Sequence, residues 1–283
     1  MVDFKNLAKP YFIGEIGINH NGDMLLAKKL IDACNACGWD CAKFQKRNPD
    51  VCVPEHQKNN IRETPWGTMT YLEYKYKIEF GEKEFETIDS YCKQKPIDWT
   101  ASVWDTDSLE FLLKYDVPFL KIPSALITNI DLVSETAKSK KPVIMSTGMS
   151  TLEEVDDAVN AILKYNDNIV VMHTNSSYPT PTNELNLRLI TMLKDRYKCV
   201  VGYSGHEEDL EPTVIAIALG AQVIERHITL SHDMWGTDQK ASLEVHAMDI
   251  LRKRCIDVDS MLGSSKKMVT ESEVPIRKKL RGY

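Results

Sequence analysis

Eight short apolar runs alternate with helix-length segments from Tyr11 to Leu262 without a break in the period, and this pattern predicts a (β/α)8 barrel of the TIM class. Two further observations separate it from an open doubly wound sheet. Such a sheet seldom needs eight units, and its first loop typically carries a G-x-G-x-x-G fingerprint, whereas the first loop here reads GINHNG. The length of 283 residues suits one large barrel, expected over residues 1–265, with 266–283 as a basic, solvated tail.

Strand one is Tyr11–Ile16, apolar except for Glu15, and a loop rich in turn residues follows it to Gly22. Asp23 is placed to cap a helix over Met24–Cys37, in which Leu26, Leu30, Ala33 and Cys37 recur at helical spacing before Gly38 stops it. Strand two, Trp39–Gln45, ends in Lys43 and Gln45. Arg47–Gly81 then departs from the rhythm, being polar, interrupted by Pro49, Pro54 and Pro65, and closed by the aromatic stretch TYLEYKYKIEF. A loop this long is expected either to cover the strand-two end or to be a plain surface insertion.

The units then recur quickly. Lys83–Lys95 reads as helix, Asp98–Val103 as strand three, and Trp104–Tyr115 as a loop and helix. Strand four is Pro118–Ile122, carrying Lys121 and leading to Ser124. Strand five is Pro142–Met145, leading to Ser146, Thr147 and Gly148, and Ser150 with Glu153 reads as the capping box of the next helix. Strand six, Ile169–Met172, leads to His173, Asn175 and Tyr178. Strands seven and eight are the runs CVVGYS and AQVIER, followed by His206 and His227, and Ser242–Leu262 makes the last helix.

The composition is that of an ordinary globular protein, 43% hydrophobic and 27% charged. A formal charge of −6 argues against a nucleic-acid-binding surface, and no stretch approaches the length of a membrane helix. Met1–Tyr11 is too short and polar for a secretory signal, so a cytoplasmic protein is expected, with small molecules or other subunits as partners. Seven cysteines scattered through a long chain fit reduced thiols, and the pair Cys34 and Cys37 falls inside a helical pattern, as buried residues would.

In a parallel barrel the carboxyl ends of all eight strands face one mouth. There the sequence gathers Glu15, Lys43, Gln45, Ser102, Asp105, Lys121, Ser124, Ser146, Thr147, His173, Asn175, Tyr178, Ser204, His206, Glu225 and His227. A purely structural scaffold has no reason to bring two lysines and several hydroxyls together, because a buried charge is costly unless paired. Lys43 and Lys121 with Ser124, Ser146 and Ser204 suit a phosphate or carboxylate. Lys121 also admits a second reading, as a Schiff-base lysine whose pKa its neighbour depresses. His206 and His227 emerge from the same sheet edge and read as a metal pair, which weighs against imine chemistry, although a lone histidine at a strand end is more often a surface residue.

The segments FIGEIGINHNG, AKFQ, LKIPSALITN, PVIMSTGMST, HTNSSYPTP, VGYSGH, VIERHITL and GTDQKASLE, in unchanged order from Tyr11 to the last helix, together resemble the sialic acid synthase family. Members of that family condense phosphoenolpyruvate with an N-acylated hexosamine. The resemblance implies a divalent ion, manganese, magnesium or cobalt, on His206 and His227. It implies that Lys43 and Lys121 contact phosphoenolpyruvate, with Ser124, Ser146 and Ser204 around the phosphate and Glu15, Tyr178 and Asp238 near the sugar or the metal water. Gln45, Ser102, Asn175 and Ser176 complete the expected substrate-binding set, and the acceptor is expected to be an aldose. An imine-forming aldolase at Lys121 and a non-catalytic sugar-phosphate-binding barrel stand as alternatives.

Three departures from the family pattern stand out. Leu126 occupies the place of the acid in Ile-Gly-Ser-Gly-Glu. In the segment after strand six, Thr174 and Asn175 replace Cys-Thr and Ser176 an Asn that often contacts substrate, while Gln239 replaces the His after Asp238. The third is length: family members commonly continue into an antifreeze-like domain that reaches over the partner's site in a dimer, whereas this sequence stops at Tyr283. The expectation is therefore a different acceptor, or closure by another polypeptide or by Arg47–Gly81, with any homodimer built on barrel helices or on that segment.

Overall fold

The computed structural model describes residues 1–282. Eight parallel strands close into a barrel: β1 (Tyr11–Gly17), β2 (Cys41–Lys46), β3 (Asp98–Val103), β4 (Leu120–Ile122), β5 (Val143–Ser146), β6 (Ile169–Thr174), β7 (Val200–Gly205) and β8 (Val223–Thr229). Closure is the pairing of β1 with β8, in register from Tyr11 against Val223 to Glu15 against His227. The outer ring is α1 (Met24–Ala36), α2 (Glu82–Lys93), α3 (Thr106–Leu112), α4 (Ile130–Lys138), α5 (Leu152–Leu163), α6 (Leu189–Tyr197), α7 (Glu211–Ala218) and α8 (Val245–Ile256). No helix among the described residues is long and apolar enough to cross a membrane.

Strand residues alternate between two apolar cores. Phe12, Ala42, Phe44, Leu120, Val143, Val171 and Ile224 face the helices. Tyr11, Ile13, Cys41, Phe119, Ile144, Val170, Met172 and Val223 fill the barrel's lower interior, where Phe4, from a single 3-10 turn, packs edge-on against Tyr11 and Phe119. The barrel is thus filled below and free to be polar above. Gly14 on β1 lets α1 approach closely, because a Cβ there would lie 2.4 Å from the Cys34 sulfur. Cys34 and Cys37 are buried free thiols.

Two local expectations change. The capping box of α5 is Thr151 with Glu154, one residue beyond Ser150 and Glu153, since Thr151 is the residue with extended backbone whose hydroxyl reaches the third helical amide. The segment from Arg47 to Gly81 is ordered rather than a loop. It holds a one-turn helix Pro49–Cys52, an antiparallel hairpin of Ile61–Thr64 with Gly67–Thr70, and a helix Tyr71–Ile78 with a full capping box at Thr70 and Glu73. Asp105 moors it to the barrel, accepting from Asn48 N at 2.6 Å and Cys52 Sγ at 3.2 Å while capping α3 through Ser108 N. Tyr74 packs edge-on against Trp235 of the loop after β8.

Beyond α8 come a short helix, Val258–Leu262, and an exposed helix, Glu273–Arg281, which buries no side chain against the barrel.

Candidate active site

A cavity of about 260 Å³ opens at the carboxyl ends of the strands, with Glu15, Lys43, Lys121 and Glu225 among its buried lining residues. The alternation that fills the lower barrel with apolar side chains turns these four inward one layer higher. Lys43 Nζ lies 2.5 Å from Glu15 and 3.7 Å from Glu225, and Lys121 Nζ lies 3.8 Å from Glu225 and 2.6 Å from Ser146 Oγ. Two buried cations therefore face two carboxylates.

The two lysines are not equivalent. Burial alone would depress Lys43, but Glu15 and then Glu225 outweigh it and hold its pKa above the usual lysine value. Lys121 lacks a close carboxylate, so burial dominates and, with Lys43 also opposing its charge, pulls it down to about 8. Glu225 is held below the ordinary value even though burial opposes its charge, because Lys121 and Lys43 favour it.

Hydroxyl and amide groups flank this core. Ser124 Oγ accepts from the Gly148 amide at 3.0 Å, and Ser204 Oγ donates to Glu225 at 3.3 Å. Ser102 accepts from Trp104 Nε1 at 3.1 Å, and Gln45 donates to Glu15 at 3.0 Å. Gly148 packs closely on this wall: a Cβ there would come 2.2 Å from Ser176 Oγ, so that hydroxyl would have to turn away. Lys43, Lys121, Ser124, Ser146, Ser176 and Ser204 all line the one cavity, as do Gln45, Ser102 and Glu15.

His206 and His227 come from the ends of β7 and β8, with ring centroids 5.4 Å apart. His206 Nδ1 lies 2.6 Å from the Asn175 carbonyl, which can only accept, so the proton sits on Nδ1 and Nε2 presents a lone pair. That Nε2 takes the Tyr178 hydroxyl at 2.9 Å. Burial, then the neighbouring His227, lowers the His206 pKa to about 3, so it is neutral, as a ligand must be. His227 Nδ1 is buried without a hydrogen bond and lies 3.9 Å from Asp238. The pair fits a divalent ion. Among the described residues no group of three or more His, Cys, Asp or Glu side chains converges as a ligand cage, so water and substrate would complete the coordination of an ion held here.

Some expected residues are placed differently. Asn175 serves through its carbonyl, while its side chain turns to Ser177 N and Glu184 O outside the cavity. Asp238 stands behind His227 rather than in the cavity wall. His173 ties to the Leu185 carbonyl at 2.6 Å, on the outward side of β6, and Asp105 serves as the mooring already described. Leu126 packs against the core, leaving Ala125 at the wall, and buried Gln239 ties the loop after β8 to Thr229 and to the Asn19 carbonyl.

The sequence reading left Trp104 and the pair Glu207 and Arg226 without a role. Trp104, an aromatic residue at the end of β3, forms cavity wall. Arg226 faces away from the barrel interior and is fully buried, 2.9 Å from Glu207 Oε1, and it donates to the carbonyls of Glu207 and Asp209 and to Thr213 on α7. It thereby fixes the loop that carries His206. A charged residue inside the otherwise apolar run AQVIER was the available signal.

Comparison with known proteins agrees with this geometry. The NeuB family is matched over residues 30–267. The N,N'-diacetyllegionaminic acid synthase of Legionella pneumophila is 34% identical over 96% of this chain and 78% of its own length. The human N-acetylneuraminate-9-phosphate synthase is also 34% identical, over 95% of this chain and 76% of its own. A crystal structure of N-acetylneuraminic acid synthetase from Leptospira borgpetersenii, in complex with citrate, superposes with a TM-score of 0.85 at 30% identity, covering 97% of this chain and 93% of that one.

Proposed function

Because this chain belongs to the NeuB family, we propose that it is an enzyme condensing phosphoenolpyruvate with the open-chain form of an N-acylated hexosamine, yielding a 2-keto-3-deoxy sugar acid and orthophosphate. The observation that carries the reading is the buried pair Lys43 and Lys121 surrounded by Ser124, Ser146, Ser204 and the Gly148 amide, beside two histidines. The lysines and hydroxyls bind the carboxylate and phosphate of phosphoenolpyruvate. Before it arrives, Glu15 and Glu225 neutralise the lysines and keep them in place.

The reaction balances as a carbon–carbon bond and a C2–O bond to water formed against the C2–O bond to phosphate broken, with the two protons of water ending on the former aldehyde oxygen and on the departing phosphate. C3 of phosphoenolpyruvate bonds to the aldehyde carbon, water adds at C2, and the C2–O bond to phosphate breaks so that orthophosphate leaves. Lys121 and Lys43 meet the charge gathering on the departing phosphate. Glu15 and Tyr178 orient the sugar and the attacking water from the histidine side of the mouth, and Asp238 acts from behind His227. His206 and His227 would hold the divalent ion, manganese, magnesium or cobalt, which when bound supplies Lewis acidity at the aldehyde oxygen. The wall residues Gln45, Ser102 and Ser176, with the Asn175 carbonyl behind His206, complete the binding set.

The relatives named above are synthases and favour neither an imine-forming aldolase nor a barrel without turnover. A cytoplasmic location and a homodimer built on barrel helices or on residues 47–81 belong to the same proposal, as does residues 1–265 being the catalytic unit, with the basic tail 266–283 taking no part. The test is phosphate release from phosphoenolpyruvate with manganese and a panel of N-acylated hexosamines and plain aldoses, with product mass read in parallel. Release with one sugar, abolished by a chelator and restored by the ion, is the expected result. No release with any aldose overturns the proposal.

A further inference from the structure

Beside the mouth stand three cations that have no hydrogen bond or ion pair from their charged groups among the described residues, although nearly every carboxylate around them is engaged. Lys75 is half-buried on the helix Tyr71–Ile78, and its ammonium lies 5.1 Å from the Tyr71 ring and 5.4 Å from the Tyr74 ring. Arg62, on the hairpin, stacks at 4.1 Å on the same Tyr71 ring. Arg47 stacks at 4.2 Å on Trp104, a wall of the active-site cavity, and its Nε is buried without a partner. The acids nearest in sequence are spoken for: Glu73 by Thr70, Glu63 by Thr68 and Asp50 by Tyr76, while Glu79 is taken by Lys46 at 2.7 Å and by the Arg47 amide. Asp238 is the acid that reaches this group from the mouth, 3.9 Å from His227 on its other side.

Aromatic faces hold these cations in place without neutralising them. Burial, then the like charge of Arg47, pulls Lys75 down to about 8, with Asp238 opposing and Arg62 adding to the repulsion. A half-buried cation crowded by two others is costly unless an anion arrives from outside. We infer that the acceptor sugar carries a phosphate at the end remote from its aldehyde, and that Lys75, together with Arg47 and Arg62, receives it. The inference rests on the condensation proposed above. Adding the three carbons of phosphoenolpyruvate at C1 of a hexose turns C6 of the hexose into C9 of the product, so a 6-phosphate acceptor gives a 9-phosphate. Relatives named for an unphosphorylated acid and for a 9-phosphate are equally identical to this chain at 34%, so identity does not choose between them. The cation group does.

The experiment compares kcat/KM for phosphate release from phosphoenolpyruvate with N-acetylmannosamine and with its 6-phosphate, using the full chain and manganese. The expected result is at least a tenfold preference for the phosphorylated sugar. That preference should fall at least tenfold in Lys75→Met, mainly through KM of the sugar, and be largely restored in Lys75→Arg. Arg62→Gln, at an exposed position that does not endanger folding, should narrow it in the same direction. Equal or better use of the neutral sugar overturns the inference while the proposed condensation stands. A preference untouched by Lys75→Met, Arg47→Gln and Arg62→Gln overturns the assignment of these residues. Phosphate release with neither sugar, nor with any other aldose, overturns the condensation and the inference with it.

Discussion

Lys121 and Lys43 occupy neighbouring positions in one mouth, yet their protons are held with different strength. The reason is distance to a carboxylate: 2.5 Å from Lys43 to Glu15, against 3.8 Å from Lys121 to Glu225. A lysine whose pKa is lowered to about 8 carries its charge below that pH and loses it above. Phosphate binding needs the charged form. KM for phosphoenolpyruvate is therefore expected to be flat between pH 6.5 and 7.5 and to climb by about tenfold per pH unit well above pH 8. Steady-state kinetics across that range check it, and a KM that stays flat to pH 9.5 sinks the role given to Lys121. The same scale shows what one sequence can hide: Glu15, Lys43 and Lys121 were legible as strand-end charges, but nothing in the string says which lysine pairs closely.

Asp105 makes the case at the scale of elements. At a strand end it read as a site residue, yet its carboxylate caps α3 and receives Asn48 N and Cys52 Sγ, so it links the barrel to the ordered segment 47–81. Replacing it with Ala removes a helix cap and the two hydrogen bonds from Asn48 N and Cys52 Sγ, a loss of about 2–3 kcal/mol. Thermal unfolding should show that loss, and amide exchange should speed up at residues 48–52 and at the start of α3. Unchanged exchange at 48–52 would mean that the segment is held elsewhere, through Glu79 and Lys46 or Tyr74 and Trp235. The segment escaped sequence reading as structure because its elements are short: a single turn, four-residue strands and an eight-residue helix. Elements of that length are stabilised by tertiary contacts more than by local propensity.

At the scale of the whole molecule, closure of β1 against β8 fixes which residues look inward. Glu225 and His227 face the mouth, and Arg226 between them faces α7, where it pairs with Glu207 directly after His206. One strand therefore supplies two site residues and the support for a third. Arg226→Leu strands the buried Glu207 carboxylate and is expected to cost about 3–5 kcal/mol. The double variant Arg226→Leu with Glu207→Gln should recover much of that stability, because no charge is then left alone. Denaturant unfolding of the three proteins measures it. Recovery of nothing in the double variant would show that the contacts of Arg226 to the Asp209 carbonyl and Thr213, rather than the ion pair, carry the effect.

The order of strands and helices, the barrel and most of the polar mouth followed from the sequence alone. Period, apolar run length and strand-end chemistry are local properties, and parallel closure sends every strand end to the same side. The tertiary structure decided what depends on pairs of residues far apart in the chain. It set the Glu15 and Lys43 contact across two strands, and the turning of Asn175 so that its carbonyl, not its side chain, serves His206. It also brought the cations of residues 47–75 to the edge of the mouth. Distance, burial and charge compensation exist only once the chain has folded, and they decide whether a polar residue at a strand end binds a ligand, positions a neighbour or holds two elements together.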